Sequence, residues 1–307
     1  MQEGSRKAIA AAFLANLGIA IAKFAGFAVT GAASLLAEAL HSVADTGNQA
    51  LLFLGGRRAR RGPTPEHPFG YGRERYFWAF VVALMLFSLG ALFAVYEGID
   101  KLIHPHQLDS VAIAVAVLGV AIVLEALSFR TAFIEARAVK GDGSWWQFIR
   151  RSKSPELPVV LLEDSGALLG LALALVGVSG AELTGNPRWD AVGSIGIGIL
   201  LGAIAIVLAA EMKSLLIGES ATAPMERAIR AAIEDGPEVR RIIHLRTLHL
   251  GPDELLVAAK VEVDASSMPD LARAIDTVES RIRASVPIAR LIYLEPDVYR
   301  PDASVDR

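Results

Sequence analysis

The chain has 307 residues, 53% of them hydrophobic, and a mean hydropathy of +0.44, which is too apolar for a soluble domain of this length. A formal net charge of -3 leaves no basic domain that could take up nucleic acid. Cysteine is absent, so disulfides, thiolate zinc sites and redox motifs are excluded, and any metal must be held by nitrogen and oxygen.

Six runs approach or exceed the roughly 20 residues that a spanning helix needs, near residues 8–31, 33–55, 76–102, 111–136, 158–180 and 189–216. The fold class predicted is a polytopic α-helical membrane protein: a six-helix transmembrane domain over 1–216, a cytoplasmic domain over 217–301 and a tail over 302–307. No cleavable signal pattern stands ahead of the first run, so that run itself is expected to direct insertion. It carries Lys23, which at that depth either snorkels or pairs.

The second run, Ala33 to Gly55, is where chemistry concentrates. His41 and Asp45 are four residues apart, just over one helical turn, so imidazole and carboxylate project from one face and can close on one cation. At 100° per residue from His41, Glu38 falls near 60°, Asp45 near 40°, Asn48 near -20° and Gln49 near 80°. Ionisable groups at membrane depth cost about 2.5–3.5 kcal/mol each and mark an ion pathway or binding site. The stripe must therefore turn toward the bundle interior or a water-filled cavity.

Arg57, Arg58, Arg60, Arg61, Arg73 and Arg75 fill the connection that follows, and Arg137, Lys140, Arg150, Arg151 and Lys153 fill the one after the fourth run. With Arg6 and Lys7 ahead of the first run, these basic segments place both termini on the cytoplasmic or matrix side. His104 and His106 flank Pro105, where a turn is expected and no chemistry is assigned. In the fourth run Glu125 is a candidate for proton handling, and Glu97 of the third is expected near the outer interface.

The fifth run carries adjacent carboxylates, Glu163 and Asp164, which diverge by about 100° on a helix and cannot both aim at one partner. Spacing alone does not say which of them binds and which packs. Gly198 and Gly202 of the sixth run form a small-residue pair that lets helices approach. Beyond it, residues 223–234 read as an amphipathic helix, 239–250 and 254–264 as strands, 269–286 as a helix and 288–294 as a last strand. That order predicts a small ferredoxin-like α+β domain. His244 and His249 of its first strand are an odd number of residues apart, so they face opposite ways.

Three segments resemble the cation diffusion facilitator family of metal/proton antiporters. Leu40-His41-Ser42-Val43-Ala44-Asp45 matches that family's second-span ligand motif, Glu66-His67-Pro68-Phe69-Gly70-Tyr71-Gly72-Arg73 its second connection, and Ile103-His104-Pro105 the close of its third span. The long connection with Trp145 and Trp146, and the run Leu161 to Ala167, are similar to the branch that includes the mitochondrial zinc transporters of animals. The resemblance implies that Asp164 takes the place of the fifth-span Asp while Val160 stands where a second His is usual. The implied metal set is then His41, Asp45 and Asp164, with Glu163, Asn48 or water as a fourth partner, and Glu38, Asn48 and Glu125 as second shell or proton path. His67 and His244 are weak secondary metal candidates, because Tyr71 replaces one family His, and Tyr293 and Ala274 stand where others could be beside Glu295.

The expected function is exchange of a divalent transition metal, zinc first, for protons by a homodimer joined through the C-terminal domain. The cation is substrate, no cofactor is implied, and the partners are metal ion, protons and membrane lipid. Fewer nitrogen ligands would favour harder cations such as manganese without excluding zinc. The bacterial inner membrane is the default residence. A competing expectation is a non-transporting scaffold or metal-responsive regulator acting through its tail; a membrane metalloenzyme lacks any HisGluxxHis or nucleophile elbow.

Overall fold

The structure is a computed structural model that describes residues 3–105 and 110–300, with only the backbone described over 3–16. His106 and the tail 302–307 lie outside the described residues. Each of the six predicted runs is a helix: α1 (Glu3–Thr30), α2 (Ala33–Arg58), α3 (Glu74–Ile103), α4 (Val111–Lys140), α6 (Glu156–Thr184) and α7 (Arg188–Ile217). Between α4 and α6 lies a short helix, α5 (Trp145–Arg151). It is fixed by a capping box in which the Ser144 side chain accepts from the Gln147 amide and Gln147 answers the Ser144 amide.

Among the described residues, α3, α4, α6 and α7 are long and apolar enough to cross a membrane. The described apolar part of α1, Leu17–Thr30, is shorter. The 26-residue α2 has the length, but its polar stripe lowers its apolarity. That stripe is turned inward, since Glu38, His41, Ser42, Asp45 and Asn48 are all buried. The apolar side chains left outside, among them Val120, Val123, Leu127, Val176, Ile199 and Ile206, form the surface that lipid would cover.

Close approach of α3 and α7 depends on glycine. A Cβ on Gly198 would stand 2.8 Å from the Ala91 carbonyl oxygen, and one on Gly98 would stand 2.8 Å from that of Ala191. Helix α3 widens to a π-helical stretch over Leu86–Leu92 in this region.

At the α1–α2 turn, the first two amides of α2 are capped from another helix. Asp190 accepts from the Ala33 amide at 2.8 Å, the Ser34 amide at 3.3 Å and the Ser34 hydroxyl. Lys101 of α3 closes the node, 3.0 Å from Asp190 and 2.5 Å from the Gly31 carbonyl. Asp190, Ser34 and Lys101 are all buried. A carboxylate at a helix N-terminus meets both orphan amides and the favourable end of the helix dipole.

The chain divides into two compact units, one of residues 1–57 with 76–213 and the other of 58–75 with 214–307. The second holds α8 (Ala223–Glu234), β1 (Val239–Gly251), β2 (Glu254–Val263), α9 (Met268–Ser285) and β3 (Ala289–Pro296). The sheet order is β1-β2-β3, with β2 antiparallel to β1 and parallel to β3. The parallel pair requires a crossover, which α9 supplies. Alternate residues of β2, Leu255, Val257, Ala259 and Val261, pack against Ile229 and Ile233 of α8 and Val278 and Ile282 of α9. This is the expected helix-strand-strand-helix-strand domain, built on three strands. The α2–α3 connection belongs to the same unit, with Arg75 2.8 Å from Asp253 in the β1–β2 turn.

Breaking the Asp190 node leaves a buried lysine without its counter-charge, a loss of about 3–5 kcal/mol. The Asp190→Ala protein is therefore expected to melt well below the parent in detergent, followed by tryptophan fluorescence. An unchanged melting temperature would show that the node is not a stabilising one.

Candidate metal centre

Helix α2 carries the centre because its polar residues recur on one face while Leu35, Ala37, Ala39 and Ala44 pack the same helix into the bundle. His41 is fully buried, and its Nε2 lies 3.6 Å from Asp45 Oδ2. Neither ring nitrogen of His41 and not the Oδ1 of Asp45 makes a hydrogen bond among the described residues. Buried polar atoms are nearly always satisfied, so three such atoms side by side at mid-helix single out this step of α2 as the candidate centre.

Helix α6 supplies the opposite wall. Glu163 is buried and accepts a 2.7 Å hydrogen bond from Asn48 Nδ2. Asp164 is half-buried and accepts at 3.1 Å from Ser128 of α4. The divergence expected of adjacent carboxylates is thus seen, with Glu163 turned to α2 and Asp164 to α4. Asp45 nonetheless stands within the electrostatic reach of Glu163, Glu125 and Asp164.

Among the described residues, no three His, Asp or Glu side chains already converge on one metal-sized point. The candidate ligands are instead drawn off in pairs, His41 with Asp45, Glu163 with Asn48 and Asp164 with Ser128. Val160, one turn before Asp164, places an aliphatic side chain at that step of α6.

Glu38 bonds Lys23 at 3.0 Å, and Lys23 also donates to the Ser42 hydroxyl at 2.8 Å. The other Glu38 oxygen lies against Gly170, where any Cβ would collide with it. Pairing is therefore the outcome for Lys23, with no snorkelling. Glu125 is buried on α4. Ser128 and Asp190 were not legible as functional partners in the sequence, although Ser128 lies three residues from Glu125 and so shares its face.

Residues 9–217 match the family described as the cation efflux transmembrane domain, and residues 223–297 match the cation efflux protein, cytoplasmic domain. The chain belongs to the cation efflux family. Among its relatives, the mitochondrial proton-coupled zinc antiporter of Xenopus laevis is 36% identical over 244 residues, covering 79% of this chain and 44% of that protein. Metal tolerance protein C4 of Arabidopsis thaliana is 33% identical over 218 residues, 70% of this chain and 48% of that protein. The magnetosome protein MamB of Paramagnetospirillum magneticum is 26% identical over 286 residues, 92% of this chain and 90% of that protein. The chain thus spans less than half the length of the first two.

The secondary candidates of this cation efflux protein stand apart from the centre. His67 is exposed and stacks on Tyr71, ring centroids 4.5 Å apart at 14°. On β1, His244 is in register with Lys260, which is in register with Glu295. Lys260 binds Glu295 at 3.0 Å and Asp297 at 3.1 Å, so an ammonium occupies the ground between His244 and Glu295. His249 faces the other way, fully buried, with Nδ1 3.3 Å from the Gly251 carbonyl oxygen.

Removing the Asn48 amide strands the Glu163 carboxylate, at a cost of about 1–3 kcal/mol. Asn48→Leu should lower the melting temperature of the metal-free protein, and added zinc should recover part of the loss, because a cation at the centre takes over that carboxylate. A deficit that zinc does not touch would separate Glu163 from the centre.

Proposed function

We propose that this cation efflux protein carries a divalent metal ion, zinc first, across a membrane in exchange for protons. The observation that carries the reading is the His41–Asp45 pair, a fully buried imidazole and a largely buried carboxylate on a membrane-length helix, with unsatisfied nitrogen and oxygen atoms, opposite Glu163 and Asp164. His41, Asp45 and Asp164 are assigned as ligands, with Glu163 the alternate or fourth. Glu163 already reaches α2 through Asn48, so it closes on the ion by releasing that amide, whereas Asp164 must leave Ser128.

Coupling to protons follows from ligand chemistry. A neutral imidazole binds a metal and a protonated one does not, so metal and proton compete for His41. Carboxylates that lose the cation are left repelling one another, and a proton relieves that repulsion. The zinc and proton in the printed names of the similar antiporters support the same pair of substrates. The C-terminal unit, matched to the family's cytoplasmic domain, is assigned to homodimer formation.

The basic connections support cytoplasmic termini, with the bacterial inner membrane as the default residence. The animal relatives are named mitochondrial, which fits a different membrane.

The test is purified protein in liposomes with an entrapped zinc-sensitive dye and an imposed pH gradient. Flux should appear with the gradient, collapse with a protonophore and fall at least tenfold in His41→Ala and in Asp45→Ala. Competition by manganese, cobalt and iron(II) then orders the cations. Zinc flux that survives both substitutions would overturn the site, and no flux from the folded parent would favour a scaffold or regulator.

A further inference from the structure

Lys23 is a cation placed where cations should bind. It lies on α1, fully buried, with its ammonium 3.0 Å from Glu38 Oε2 and 2.8 Å from Ser42 Oγ. Both partners sit on α2, Glu38 three residues before His41 and Ser42 one residue after it. Its stem runs beside an apolar groove between α1 and α4 lined by Ala22, Val117, Ala121 and Leu124. The ammonium therefore has its polar partners on the α2 side.

The charges around it are unequal. Glu38, Asp45, Glu125 and Glu163 are buried and Asp164 half-buried, and the Lys23 charge acts on Glu38, His41, Asp45 and Glu125. The other buried lysine among the described residues, Lys101, is committed to Asp190 and the Gly31 carbonyl at the α1–α2 turn. Lys23 thus supplies the fixed positive charge of the acidic interior.

We infer that Lys23 is a resident counter-cation that sets how tightly the centre holds a divalent ion. The inference rests on the proposed cation-carrying function. With the centre empty, the ammonium offsets part of the carboxylate repulsion that would otherwise open the bundle. With an ion bound, the same charge repels it, so the ion is held less tightly and leaves sooner. Lys23's partners on α2 lie between one residue and about two turns from His41 and Asp45. At an effective dielectric of about 20, a unit charge that far from a divalent ion changes its binding by well over tenfold before the opposing Glu38 charge is counted, so about tenfold is the least effect expected. Glu38 tethers the ammonium, and Gly170 leaves the room for Glu38 to do so.

The test reads zinc affinity by isothermal titration calorimetry on purified full-length protein at fixed pH, together with KM and Vmax of flux in liposomes. Lys23→Gln should bind zinc about tenfold more tightly, with KM and Vmax both reduced, while Lys23→Arg stays near the parent. A purely structural lysine would give weaker binding or a raised KM instead. Should Lys23→Gln not fold, the contrast is made against Glu38→Gln. That variant leaves the ammonium uncompensated and should bind zinc about tenfold more weakly than the double variant Lys23→Gln/Glu38→Gln. Equal or weaker binding in the charge-removed member of either pair, with His41-dependent binding intact in the parent, overturns this inference alone. Absence of His41-dependent zinc binding in the parent overturns the proposed function as well.

Discussion

The bundle is organised by one requirement: the polar stripe of α2 lies at membrane depth and must find its partners inside the protein. Each partner comes from a different helix. Lys23 of α1 takes Glu38 and Ser42, Glu163 of α6 takes Asn48, and Asp190 of α7 with Lys101 of α3 takes the N-terminus. Helix α2 is consequently the hub, the least apolar of the long helices and among the most enclosed. The glycines follow from the same constraint. Gly170 gives Glu38 its place against α6, while Gly198 lets α3 and α7 close to backbone contact around the hub.

Satisfaction of the stripe is incomplete, and that incompleteness is informative. At Asp190 oxygens and amides are matched, whereas along the stripe one oxygen each of Glu38, Asp45 and Asn48 and both ring nitrogens of His41 make no hydrogen bond among the described residues. Folding tolerates a few such atoms where function requires them. The paired-off carboxylates belong to the same picture. Glu163 and Asp164 are each held by a neutral donor, Asn48 and Ser128, in a hydrogen bond that a carboxylate can exchange for another partner.

Periodicity made the helices and the order of the C-terminal domain legible, because apolar runs of membrane length and alternating strands are local signals. The inward stripe of α2 was equally legible, since a helix converts a spacing of three or four into a shared face. What spacing could not show was which of Glu163 and Asp164 looks toward α2, because that depends on how α6 is rotated by its neighbours. Ser128 and Asp190 were hidden for the same reason: a serine in α4 and an aspartate opening α7 gain meaning only from residues 36 and 156 positions away in the chain. The α5 capping box, by contrast, is a local device, made by Ser144 and Gln147 three residues apart.

The histidines separate chemistry from architecture. His67 is held by an aromatic stack, His249 by burial in the sheet, and His244 sits in register with a lysine. None of the three lies on a helix. His41 alone among the described histidines combines complete burial with a carboxylate one turn away on the same helix and two ring nitrogens that make no hydrogen bond. An imidazole is a poor packing group and a good ligand. On the inward face of α2, that combination is the observation on which the proposed metal centre rests.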